Sequence, residues 1–150
     1  MKILIDNMQH KLKIDKRKLR SVTFTLLKYL SCADKEISLC FVDDNTIKQL
    51  NKQYRHKNKP TNVLSFSLQE GEFGSINPDI LGDIVISVDT AKEDAIKKSV
   101  SIEREFNFLI IHGLLHLLGY NHENSPKEKA RIMQKKEEEL LKFLYKADQR

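Results

Sequence analysis

The chain of 150 residues has no tryptophan, two cysteines and three prolines. Each scarcity excludes something. Cys32 and Cys40 form no C-x-x-C pair, so there is no disulfide framework, and a reducing cytoplasm is the expected setting. The longest apolar run, "FNFLIIHGLLHLLGY", falls short of the roughly 20 residues of an ordinary membrane span. It also carries two histidines and reads as a buried helix, so no membrane partner is expected. The start, "MKILIDNMQHKLKIDKRK", has no apolar run of signal-peptide length. No Pro/Gly/Ser-rich linker and no internal repeat divides the chain, which predicts one domain over residues 1–150. With no tryptophan, and with Phe66, Phe106 and Phe108 in core-like positions, there is no evident platform for stacking bases, so sequence-specific reading of RNA has no support.

What is present points to a soluble globular protein: 40% hydrophobic and 31% charged residues. The net charge of +5 and pI near 9.1 suit a polyanionic partner without requiring one.

Periodicity predicts strands at "MKILID", "EISLCFVD", "NVLSFSL" and "GDIVISV". In the third, Leu64, Phe66 and Leu68 alternate with Val63, Ser65 and Ser67, giving two unlike faces. Asp15 is expected to cap a first helix with Leu19, Val22, Leu26 and Leu30 on its inner face. A short helix follows from about Asn45, with Ile47, Leu50 and Tyr54 on one face. Asp89 is expected to cap a third helix, and a fourth starts near Ser101. The last opens on "SPKE", with Ser125 as N-cap, Pro126 as its first residue and Glu128 closing a capping box. Ile132, Met133, Leu140, Leu141 and Leu144 form its apolar stripe. The order β-α-β-α-β-β-α-α-α predicts an α+β fold: a small mixed sheet of about four strands with about five helices packed on it.

Three of the five histidines lie in "HGLLHLLGYNH". His112 and His116 are four apart, so a helix puts both on one face. Gly119 can end that helix in a left-handed conformation and let the chain bring His122 back to the same point. Three neutral imidazoles are a common zinc set, and three protein ligands leave a fourth position open, as catalytic sites do. The bland alternative is three separate histidines. A structural ion would more often have four protein ligands with cysteines among them, and Glu123 is positioned in sequence to close the site. The spacing is also that of metzincin peptidases, H-E-x-x-H-x-x-G-x-x-H, but Gly113 stands where their general base would be. A divalent ion held by three neutral ligands would acidify a water and attract anions, which suits phosphodiesters.

Residues 48–59, "KQLNKQYRHKNK", hold five cations and no acid. Such a run is often only a solvated helix end. Here it leads into the two-faced strand, with Arg55 at the helix end, where a guanidinium can be aimed at a phosphate. A second basic cluster, Lys11 to Arg20, reads as the solvent face of the first helix.

"LNKQYRHKNKPTNVLSF", "LGDIVIS" and "HGLLHLLGYNH" together resemble the signatures of the YbeY family, in order and spacing, from about residue 36 onward. The resemblance implies a bacterial, single-strand-specific metallo-endoribonuclease acting in ribosomal RNA maturation, at the 16S 3′ end, and in ribosome quality control. It implies His112, His116 and His122 as zinc ligands, Arg55 as the catalytic arginine, and Asp83 as a structural or cleft-edge aspartate. Lys57, Lys59 and Ser65 are candidates for holding RNA, and ribosomal proteins are candidate partners. Nickel, cobalt or copper would also accept a histidine set. The chain departs from the family's D-x-P-T-D-V-L-S-F-P by having Asn58, Asn62 and Ser67. No general base is evident; an activated water or the RNA's own 2′-hydroxyl could attack. Two other readings remain: a ribosome-associated RNA-binding module with a structural metal, and a metzincin-like peptidase with a substitute base such as Glu123 or Asp83.

Overall fold

The structure, a computed structural model, describes residues 3–68, 79–120 and 127–146. Among these residues the chain forms strands β1 (Ile3–Asn7), β2 (Glu36–Val42), β3 (Val63–Ser67) and β4 (Ile80–Ser87). The helices are α1 (Lys16–Tyr29), α2 (Asp44–Arg55), α3 (Val88–Lys98), α4 (Ile102–Leu117) and α5 (Lys127–Tyr145). The expected α+β order holds throughout.

The sheet order is β1-β2-β4-β3. β1, β2 and β4 run parallel, and β3 lies antiparallel to β4 at the edge. Alternation splits the sheet into two faces. Ile37, Leu39 and Phe41 of β2 and Ile84 and Ile86 of β4 join residues of α1, α3, α4 and α5 in the main core. Val42, Leu64 and Val85 look the other way and pack under Ile47 and Leu50 of α2. α4 is apolar nearly all round because it is enclosed between sheet and helices, burying Phe106, Leu109, Ile110, Ile111, Leu114 and Leu115. None of the described helices is long and apolar enough to cross a membrane.

Capping explains where most helices begin. Asp15, Asp43 and Ser101 accept backbone N–H groups at the starts of α1, α2 and α4. Asp89 does not cap α3: the cap is Ser87, at the end of β4. Asp89 instead lies in the first turn, where it suits the helix dipole, and accepts from the Asp44 backbone N–H at 2.8 Å and from Lys11 Nζ at 3.0 Å. Ser125 and Pro126 lie outside the described residues. Ile132 is 52% exposed, so it leaves the α5 stripe, and Glu137 takes the buried place between Met133 and Leu140. Burial pushes the thiols of buried Cys32 and half-buried Cys40 above their usual value, which disfavours the reactive thiolate.

Candidate metal centre and basic cavity

One helical turn of α4 separates His112 from His116, and their Nε2 atoms lie 3.1 Å apart. Two ligand atoms at about 2.0–2.1 Å from a tetrahedral ion are roughly 3.3 Å apart, so the pair fits a single ion. α4 stops where the sequence suggested. Gly119 has φ +97°, its N–H donates to the His116 carbonyl, and the Tyr120 N–H donates to the Leu115 carbonyl. This Schellman closure needs a left-handed residue, which glycine adopts without strain. A Cβ at Gly119 would meet nothing within 4 Å, so backbone conformation alone selects glycine there. His122 and Glu123 lie outside the described residues. Among the described residues no group of three His, Cys, Asp or Glu side chains is placed to hold an ion.

Gly113 has a different reason to be glycine. A Cβ there would sit 2.8–3.0 Å from three side-chain carbons of Ile84. The position that carries the base in metzincins is here pressed against β4. Asp83, next to Ile84 on β4, therefore faces away from α4; partial desolvation raises its carboxyl above the usual value, and a hydrogen bond with Ser38 opposes the rise. It is not a substitute base for water held at the histidines.

Arg55 ends α2, and His56 follows in a left-handed conformation at φ 60°. The guanidinium donates through Nη2 to the Ser65 carbonyl at 2.8 Å and stacks 5.3 Å from the Phe66 ring centre. Along β3, Asn62 and Leu68 make the ladder bonds to β4. By alternation, the Ser65 carbonyl points away from β4, to the outer edge of the sheet among the described residues. Arg55 thus occupies an edge acceptor that an added peptide strand would need. The Ser65 side chain faces α4, its Oγ 3.5 Å from the Gly113 carbonyl, and so lies on the histidine side.

A cavity of about 650 Å³ unites these groups. Arg55, Lys57, Lys59, Ser65, His112 and His116 all line it, and the described lining contains no carboxylate. Asn62, at a family aspartate position, lines it too and donates to Asp94 at 3.2 Å. An aspartate there would face Asp94 as a like charge. Asn58 is exposed, and nothing in the structure explains its departure from the family pattern.

Sequence reasoning missed Glu137. Its Oε2 lies 3.4 Å from His112 Nδ1, and its side chain is 8% exposed. The available signal was a carboxylate at a stripe position, four after Met133 and three before Leu140.

The model of the family described as Endoribonuclease YbeY matches residues 4–145. Endoribonuclease YbeY of Syntrophus aciditrophicus (strain SB) is 57% identical over 145 residues, which cover 97% of this chain and 91% of that protein. The same-named protein of Geobacter metallireducens is 43% identical over 144 residues, 96% of each chain. Among solved structures, the solution structure of TM1509 from Thermotoga maritima matches with TM-score 0.66 and 26% identity, covering 98% of this chain and 91% of that one. Sequence and fold together make the chain a member of the YbeY endoribonuclease family.

Proposed function

We propose that the chain is a metal-dependent endoribonuclease that cleaves single-stranded RNA, with His112, His116 and His122 holding one zinc ion. The observation that carries the reading is the shared cavity: two histidines able to share an ion, and three cations, on a described lining without acid. When bound, the ion supplies Lewis acidity towards phosphate and water. Arg55 is held in place by the Ser65 carbonyl and the Phe66 ring. Its remaining N–H groups would offset negative charge developing on the oxygens of the phosphorane, where a planar donor pair acts best. Lys57 and Lys59 hold the backbone through charge, and Ser65 is a further contact. The wider role is maturation of ribosomal RNA at the 16S 3′ end and ribosome quality control in the cytoplasm, with ribosomal proteins as neighbours.

A metzincin-like peptidase is disfavoured by Gly113, whose place admits no side chain, and by Arg55, which takes the edge carbonyl a peptide would use. A binding module with a structural ion would require instead that removing the ion unfolds the chain.

The test is a cleavage assay on single-stranded RNA with His116→Ala, together with chelation of the parent protein. Both should abolish cleavage and leave the circular dichroism spectrum unchanged. Equal cleavage by highly purified His116→Ala protein would sink the reading. Unfolding on chelation, with binding but no cutting by the zinc-loaded protein, would favour the structural ion.

A further inference from the structure

Two carboxylates are buried among the described residues, and they have different partners. Glu105 receives Lys98 Nζ at 3.1 Å on both oxygens, so its charge is compensated by an ion pair. Glu137 projects from the apolar stripe of α5 onto His112 of α4, with Oε2 3.4 Å from Nδ1. That separation is at the long end of hydrogen bonding. On the other side of the same ring, His112 Nε2 faces His116 Nε2 at 3.1 Å. The two nitrogens of an imidazole point in diverging directions, so a group at Nδ1 cannot reach an ion at Nε2. Glu137 is therefore not a fourth ligand. The Phe108 ring lies 6.3 Å from the His112 ring at a 33° tilt and borders it on a third side.

We propose that Glu137 is the positioning residue of the metal centre. It accepts the Nδ1–H of His112, which fixes the tautomer that leaves the Nε2 lone pair towards His116, and its negative charge makes that nitrogen a stronger donor. Because Glu137 belongs to α5, docking of this helix against α4 completes the centre. The inference rests on the proposed metal reading and adds to it a residue from another element.

The experiment uses the full chain, stripped of metal, and Zn²⁺ in competition with a chromophoric chelator. The parent, Glu137→Gln, Glu137→Leu and His116→Ala are compared, and nitrogen-detected NMR reads the His112 tautomer in the metal-free proteins. The parent should bind one ion per chain. Glu137→Gln should bind about 10–100-fold more weakly, the range typical for loss of such a partner. The glutamine carbonyl can still accept the Nδ1–H, so the tautomer is read in Glu137→Leu, which removes the acceptor and leaves an apolar side chain; there His112 should move away from the Nδ1–H form. If either variant unfolds when metal-free, Glu137→Asp, which shortens the reach, takes its place. Affinity of the Glu137 variants within twofold of the parent, or an unchanged tautomer in Glu137→Leu, would overturn the role of Glu137 while the metal centre stands. A parent that binds no Zn²⁺, or His116→Ala binding as tightly as the parent, would overturn the metal reading and this inference with it.

Discussion

At position 113 the smallest side chain already collides with Ile84, and the consequence is both structural and chemical. Gly113→Ala should lower the urea unfolding free energy by about 1–3 kcal/mol, the usual cost of overpacking a core. Adding Ile84→Ala should recover part of the loss, so that the two changes together cost less than their sum in a double-mutant cycle. Additive losses would place the strain elsewhere. A reader of the sequence sees only that Gly113 is not glutamate. The reason, a helix resting on a strand, lies 29 positions upstream in the chain. Gly119 is the opposite case, because its role is set by the residues beside it and was legible from the helix ending there.

Among the elements, α2 aims Arg55, so whatever holds α2 acts on the candidate site. Asp43 accepts the Thr46 N–H at 2.9 Å, and this bond holds its carboxyl below the usual carboxylate value of 3.8. The stabilisation is fully present above the unfolded-state value and is lost as pH falls through the lowered folded-state value. Asp43→Ala should therefore cost about 1 kcal/mol at pH 7, a typical cap contribution. The difference from the parent should shrink towards zero below the carboxylate range, as measured by denaturant titration at a series of pH values. A constant difference across pH would assign the loss to something other than the charged cap. α2 starts at Asp44, one residue before the expected Asn45, with Asp43 as its cap. At α3 the strand pattern runs through Ser87 and so moves the expected cap to Asp89, whereas Ser87 is the last strand residue and the cap at once.

For the whole molecule, the sheet order decides what meets what. β3 follows β2 in sequence, but among the described residues it pairs with β4 alone and stands at the edge, which puts Ser65 between Arg55 and α4. The cavity that results concentrates part of a net charge of +5 beside the histidines. RNA binding should accordingly weaken with salt, by a slope of roughly −0.7 per phosphate neutralised on a single strand. Replacing Lys57 and Lys59 together by alanine should make that slope shallower by about 1.4, as read by fluorescence anisotropy across a salt series. An unchanged slope would mean that RNA follows another surface, for instance the basic start of α1.

The sequence by itself determined the element order, most caps, the glycine closure of α4 and the facing of His112 and His116, because each depends on spacing within a few residues of a regular backbone. Tertiary structure alone decided that Glu137 meets His112, that Arg55 is tied to Ser65 and Phe66, and that position 113 has no room for a base. These are contacts between separate elements. They follow from how the helices and the edge strand pack, which no local periodicity encodes.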